Sequence, residues 1–331
     1  MSDNSLNTKK AASLFQAAAI FILTAIAAPA FPGGDGSVPS FFFLAAGGGG
    51  AAWLCFRCGY IYGILSAVAG FFLNWYVQSS PLAALAAFSL VPVGITYALV
   101  SKRRLSRSQA LGISAASVSA LCLAAVIIPV WQKTGSFGLQ EIKSTFPDFF
   151  EKLAKALSES FTVTVAGQKV PFITAESADA YVNLIIAVSP GFAVAAIISL
   201  CFAAGWVYRL LLRLSGCEPP EPSDWKLLPV PITAAFYCIS VLAAAVSESD
   251  NIIWLAAFNI AAILTPWFFF AGAASVGEMR MVDGFRRPRV LRSALLFFSV
   301  FLGLPAAIGL CCIFGVYDSI RTLFPKKKTE E

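Results

Sequence analysis

Apolar residues run along this chain in long blocks separated by short polar or basic breaks. The blocks fall at about Ala11–Phe31, Phe41–Phe56, Gly59–Gln78, Leu82–Val100, Ser108–Val130, Tyr181–Leu214, Leu228–Val246, Ile252–Val276 and Ser293–Val316. Most approach or exceed the ~20 residues an α-helix needs to cross a bilayer core of ~30 Å. The pattern predicts an all-α fold, a polytopic integral membrane helical bundle of eight or nine spans, built as a single membrane domain over 1–331. Gly303-Leu-Pro305 lies inside the last block, and a re-entrant hairpin there would lower the count to eight.

Residues 132–180 break the pattern. Lys133, Lys143, Lys152, Lys155 and Lys169 alternate with Glu141, Asp148, Glu151, Glu159, Glu176 and Asp179. Within that stretch Leu153, Leu157 and Phe161 recur every fourth residue behind Phe149 and Phe150, one apolar face of a helix. Phe161-Thr-Val-Thr-Val165 then alternates like a short strand. The expectation is a small extramembrane insert, with an amphipathic helix resting on the membrane surface or capping the bundle.

Composition agrees with the block pattern. The chain is 58% hydrophobic and 13% charged, with a mean hydropathy of +0.77, whereas soluble domains carry about 25% charged residues. A soluble fold could not cover so much apolar surface. Charge then sets orientation, because Lys and Arg concentrate in cytoplasmic loops. With the N-terminus inside, the inner segments hold Lys9, Lys10, Arg57, Lys102–Arg104, Arg107, Arg209, Arg213, Lys226, Arg280, Arg286, Arg287, Arg289 and Arg292, and the three short outer loops hold no base. This predicts a bacterial cytoplasmic (inner) membrane protein with a cytoplasmic N-terminus and the 132–180 insert extracytoplasmic. Nine crossings would put Arg321 and Lys326–Lys328 outside, against the rule. Ala25–Phe31 contains Ala-x-Ala patterns of the cleavage-site kind, but a retained first helix is the simpler reading.

The chain contains no histidine, and its eight cysteines sit mostly inside apolar blocks. Cys55-x-x-Cys58 has metal-ligand spacing, but zinc needs two further ligands and no second pair exists. No metal or cofactor is expected. No phosphate loop or Ser-His-Asp set is present, so an enzyme is not expected, and without a basic patch interleaved with aromatics neither is a nucleic-acid partner.

Polar residues inside the blocks are few: Asn74, Trp75, Tyr97, Asn183 and Asn259. Polar groups at membrane depth often mark a ligand pocket. The plainer reading is interhelical hydrogen bonding, ahead for each residue alone and even for the group. Gly59-x-x-x-Gly63-x-x-x-Ala67 sets three small residues on one helical face, suited to tight packing within the bundle or to docking a membrane partner protein. Arg286, Arg287, Arg289 and Arg292 cluster beside a span, where they either fix orientation or bind lipid head groups of the bilayer. Glu278 and Asp283 beside Arg280 read as interfacial ion pairs before proton carriers. Pro92, Pro190-Gly191, Pro266 and Pro305 interrupt four blocks, and broken helices line ligand sites in transporters.

An ordered set of short motifs carries a resemblance. Phe56-Arg-Cys-Gly-Tyr-Ile-Tyr-Gly-Ile-Leu joins two blocks, Pro222-Ser-Asp-Trp-Lys-Leu-Leu-Pro229 precedes another, and Phe268-Phe-Phe-Ala-Gly272 and Gly315-Val-Tyr-Asp318 follow. In that order they resemble the YybS-like family of uncharacterised bacterial membrane proteins, over roughly Ala11 to Lys328. The layout is also similar to the substrate-binding subunits of energy-coupling-factor vitamin transporters and to the cell-shape protein MreD. The resemblance implies a helical bundle with a small-molecule pocket, and a small-residue face toward a partner subunit. Two functions follow as expectations. One is the substrate-binding subunit of a small-molecule uptake system, with an outward pocket near Asn74, Tyr97 and Asn183. The other is a non-transporting envelope or cell-shape assembly factor.

Overall fold

A computed structural model describes residues 16–24, 38–78, 86–102, 105–136, 138–148, 150–151, 155, 162–165, 168–171, 175–217, 231–248, 251–278 and 304–321. The helices in order are α1 (16–24), α2 (Val38–Arg57), α3 (Tyr60–Gln78), α4 (Leu90–Ser101), α5 (Arg107–Thr134), α6 (Leu139–Thr145), α7 (Ala175–Leu214), α8 (Pro231–Val246), α9 (Ile252–Glu278) and α10 (Leu304–Arg321). A 3₁₀ turn at Ala86–Ser89 leads into α4. Three of these helices contain stretches long and apolar enough to cross a membrane: Arg107–Thr134, Tyr181–Leu214 and Ile252–Ala273.

Local chemistry sets several helix ends. Ser106 caps α5 in a capping box, its hydroxyl accepting from the Gln109 N–H at 3.2 Å while Gln109 Oε1 accepts from the Ser106 N–H at 2.9 Å. Between α2 and α3 the chain turns at Gly59, with φ at 108° and its N–H on the Leu54 carbonyl at 3.1 Å. Residues with a Cβ rarely adopt that backbone. This corrects the Gly59-x-x-x-Gly63-x-x-x-Ala67 face: Gly59 forms the turn before α3, and only Gly63 and Ala67 lie on the helix. The expected proline breaks divide as well. Pro190 and Pro266 lie inside α7 and α9. Pro92 and Pro305 instead sit in the first turns of α4 and α10, where a missing N–H leaves no bond unmade. Accordingly α10 starts at Leu304, in the middle of the block expected to be one span, and residues 293–303 lie outside the described set. Pro129, inside α5, is a further interruption.

α2 is the hub, packed against α7, α4 and α3. Its glycine run Gly47–Gly50 makes this possible. A Cβ on Gly48 would stand 2.9 Å from that of Ala204, and one on Gly49 2.7 Å from Val207 Cγ1, both on α7. Lipid tails are as apolar as leucine, so close backbone approach contributes what the hydrophobic effect cannot between membrane helices. The contacts advance together, Gly48 with Ala204, Gly49 with Val207 and Trp53 with Ser215, so α2 and α7 run parallel. α7 and α9 are parallel too: Phe192 meets Phe258, and Phe202 stacks on Phe270 at 3.8 Å.

The main core gathers Trp53, Leu54, Tyr97, Leu111, Val118 and Tyr208 from α2, α4, α5 and α7. A smaller one joins Ala234, Phe268 and Cys312 of α8, α9 and α10. There a Cβ on Gly272 would strike the Cys311 carbonyl, and one on Gly315 the Phe268 carbonyl, so the α9 and α10 backbones nearly touch. These glycines belong to the two C-terminal motifs quoted above, which the fold brings face to face.

Helical structure enters the 132–180 stretch from both sides, since α5 runs to Thr134 and α7 begins at Ala175. Between them α6 is tied back to α5 by Lys133 Nζ, which donates to the Ser144 carbonyl at 2.6 Å. The strand expected at 161–165 is present as β1 (Thr162–Val165), paired antiparallel with β2 (Gln168–Pro171), Val163 opposite Val170. Leu153, Leu157 and Phe161 of the expected amphipathic face lie outside the described residues.

Candidate functional site

Proline at position 190 removes the N–H that would bond the Ile186 carbonyl one turn earlier. Ser189 Oγ donates to that carbonyl instead, at 2.8 Å. One residue on, Gly191 N–H should reach the Ala187 carbonyl. It donates to Asn259 Oδ1 on α9 at 2.7 Å, while Asn259 Nδ2 donates to the Ala187 carbonyl at 3.1 Å and to Leu255 O at 3.0 Å. One side-chain amide is thus spliced into the broken ladder of a neighbouring helix. Only a residue without Cβ admits it, because a Cβ at Gly191 would lie 2.9 Å from Asn259 Cα. The second interruption is Pro266 in α9, which follows a threonine tied to the preceding turn. Thr265 Oγ1 donates to the Ala261 carbonyl at 2.7 Å and lies 3.3 Å from the Tyr237 hydroxyl of α8.

A second polar region lies where α2 and α4 end, α5 begins and α7 ends. Trp53 Nε1 donates to Ser215 Oγ at 2.8 Å, and the Ser101 and Tyr208 hydroxyls are hydrogen-bonded at 2.6 Å. Tyr97 is fully buried, donates its hydroxyl proton to the Cys201 carbonyl at 2.9 Å, and lays its ring on Gly205, where a Cβ would sit 2.6 Å from it. Arg107 is only 8% exposed. Its guanidinium carbon lies 4.6 Å from the Phe202 ring centroid, and it hydrogen-bonds to the Tyr97 hydroxyl. Arg209 bears on it with like charge, and Arg213 on Arg209. At the same end Lys102 Nζ sits 4.4 Å from the Tyr60 ring centroid, and Arg57 Nη1 donates to Cys217 Sγ at 3.6 Å.

Among the described residues, the structure does not bring the expected pocket residues together. Tyr97 contacts α7 at Cys201, about 18 residues and about 27 Å along the helix from Asn183. Asn259 is committed to the α7 break. Trp75 is exposed, and its ring contacts among the described residues are with its helix neighbours Phe71 and Phe72. With exposed Tyr76, Trp131 and Tyr181 it marks the end opposite Arg57, Lys102, Arg107 and Arg209, as aromatic belts mark membrane interfaces. The Asn74 side chain lies outside the described set, as do Arg280, Asp283, Arg286, Arg287, Arg289, Arg292 and the side chain of Glu278. Asn183 Oδ1 is buried and, among the described residues, has no hydrogen-bond partner. Gly63 and Ala67 face inward, Gly63 against Cys55 Sγ and Ala51 of α2, which is packing within this chain. Cys58, in the turn, is partly buried, and that burial pushes its thiol pKa up.

Both seams fall within one family match. The DUF2232 family, described as predicted membrane protein, matches residues 38–319. The chain belongs to that family. It is a membrane protein whose apolar helices contact the lipid bilayer, and the match spans every described helix from α2 into α10. No curated protein and no solved structure matches the chain.

Sequence reasoning missed Arg107, counted only as a loop base. The signal was present, since Ser106 and Gln109 form a capping box that makes Arg107 the first residue of the helix. Tyr208 and Ser215 carried no comparable mark.

Proposed function

We propose that the protein is a substrate-binding subunit of a small-molecule uptake system in the bacterial inner membrane, with eight or nine spans, a cytoplasmic N-terminus and an extracytoplasmic insert. The supporting observation is the buried, unpartnered Oδ1 of Asn183, about 12 Å before the Pro190-Gly191 break on the same helix. A buried acceptor without a donor costs about 1–3 kcal/mol, which a ligand N–H or O–H would recover. Asn183, Ala187 and Gly191 follow one another at helical spacing along the face that meets α9. The ligand site is therefore proposed at the α7–α9 seam near its neutral end, away from Tyr97. The resemblances to the YybS-like family and to vitamin-transporter subunits point the same way by analogy only.

A second reading, a non-transporting envelope or cell-shape assembly factor like MreD, draws support from Tyr97, whose ring and hydroxyl are both taken up by α7. Native mass spectrometry of gently purified protein separates the two. The uptake reading expects a retained metabolite that is lost in Asn183→Leu. Co-purified cell-wall or division proteins with no metabolite in either form would overturn it.

A further inference from the structure

We propose that the α7–α9 seam is a hinge, on which α8, α9 and α10 swing as one unit about the bonds between Asn259 and the Pro190 break. This rests on the packing of the seam and not on the uptake reading. Two separate cores flank it. α9 sends Ile263, Trp267 and Phe270 to the main core of α2, α4, α5 and α7, and Leu264, Phe268 and Phe269 to the smaller one shared with α8 and α10. α8 and α10 pack on α9 and on each other, and the main described contact of this unit with the rest is α9 on α7. The near touch of the α9 and α10 backbones at Gly272 and Gly315 keeps the unit stiff, since close-packed interiors barely compress.

The two halves of the seam are held differently. Toward its neutral end, Asn259 bonds the Gly191 N–H at 2.7 Å and the Ala187 carbonyl at 3.1 Å. These bonds fix one point of contact, because at membrane depth neither backbone group finds water to replace them. Toward the Arg107 end the contact is the stack of Phe202 on Phe270, with centroids 3.8 Å apart and ring planes 9° from parallel. Apolar burial and dispersion are non-directional, so flat rings slide and part without breaking a hydrogen bond. Three residues before Phe270, Trp267 carries an indole Nε1 that is buried and, among the described residues, has no hydrogen-bond partner. A buried donor left unmet costs free energy, so this half of the seam is unsatisfied where the tie is bonded. Opening the Arg107 half brings the Trp267 N–H to water while the Asn259 bonds stay made. Rotation about one tied point with relief on the far side is hinge motion.

The test reads hydrogen–deuterium exchange by magic-angle-spinning NMR on the full chain in lipid nanodiscs. Pairing 13C-carbonyl proline with 15N-tryptophan marks Trp267, since Pro266-Trp267 is the chain's single Pro-Trp pair. Pairing it with 15N-glycine marks Gly191, alongside Gly33 of the other Pro-Gly pair. The Trp53 indole, bonded to Ser215 and buried in the main core, is the protected reference. An open state populated at about 0.1–10% slows exchange of the Trp267 indole about tenfold to thousandfold relative to free indole. The Trp53 indole and the Gly191 N–H should both outlast it. A Trp267 indole as long-lived as that of Trp53 overturns the opening. Gly191 exchanging together with Trp267 overturns the pivot, because the whole seam then parts at once. Slower indole exchange in Pro266→Ala overturns the swing, because the movement then belongs to the proline break inside α9. The first two readings need no variant, so the proposal stands or falls on the wild type even if Pro266→Ala does not fold.

Discussion

Helix α7 is held on one side by absence and on the other by a bond. Toward α2 it meets glycines, and the contact is made of backbone and small apolar groups. Toward α9 it meets Asn259, whose amide replaces the hydrogen bond that Pro190 disrupts. Both seams bring backbones close, and both require glycine, Gly48 and Gly49 in one and Gly191 in the other. Their failure modes differ. The first fails when volume is added. The second fails when a polar group is taken away, since the Gly191 N–H and Ala187 carbonyl have no water to turn to.

The largest effect is expected where volume is added. Gly49→Val would drive methyl groups into Val207 and the Ala204 carbonyl, both within 3 Å of the new Cβ. A loss of about 3 kcal/mol is expected, seen as a collapsed melting temperature and aggregation on size exclusion. Gly112 on α5, with nothing within 4 Å of a new Cβ, is the control. There Gly→Ala should leave melting unchanged or raise it by relieving helix entropy. If both substitutions behaved alike, α2–α7 contact would not depend on glycine size.

The second effect sharpens the other side. Asn259→Leu should lower stability by about 2 kcal/mol, the cost of two unmet buried backbone groups. Pro190→Ala restores an N–H to α7 and lets its own ladder close. In that background Asn259→Leu should therefore cost less than about 1 kcal/mol. A double-mutant cycle on thermal or denaturant melting reads the coupling. Strict additivity would show that the amide does not serve the proline break.

These seams explain what was legible beforehand. Helix existence followed from apolar blocks, and the short strand from alternation at Thr162–Val165. Asn259 and Pro190-Gly191 each stood out, but as separate pocket markers. Their union depends on the parallel register of α7 and α9, which no periodicity within either helix encodes. Tyr97 misled for a similar reason. A tyrosine in an apolar block looks like a pocket residue until its partner, the Cys201 carbonyl, is found a hundred residues away. The helix starts at Pro92 and Pro305 were missed because proline was read as a break when it sits equally well in a first turn.

Smaller effects probe the core between the seams. Tyr97→Phe keeps the ring on Gly205 and removes the hydroxyl's bonds to the Cys201 carbonyl and to Arg107. A loss of about 1 kcal/mol is expected in the same melting assay. A loss several times larger would mean that the hydroxyl matters mainly through its second partner, Arg107.

The smallest effect belongs to Trp75, which touches neither seam. It is exposed beside Tyr76, and its ring partners Phe71 and Phe72 are on its own helix. Trp75→Phe should change stability by less than about 0.5 kcal/mol, as surface substitutions do. Its information is positional. An indole at the head-group level keeps its N–H wet and its ring apolar. The fluorescence difference between wild type and Trp75→Phe isolates this one of seven tryptophans. That difference should be quenched more by lipids brominated near the glycerol than by lipids brominated at the chain ends. Stronger quenching from the chain ends would place α3's end deep in the bilayer. It would then lie on no membrane surface, and the neutral end of the α7–α9 seam could not be taken as the outer mouth of a ligand site.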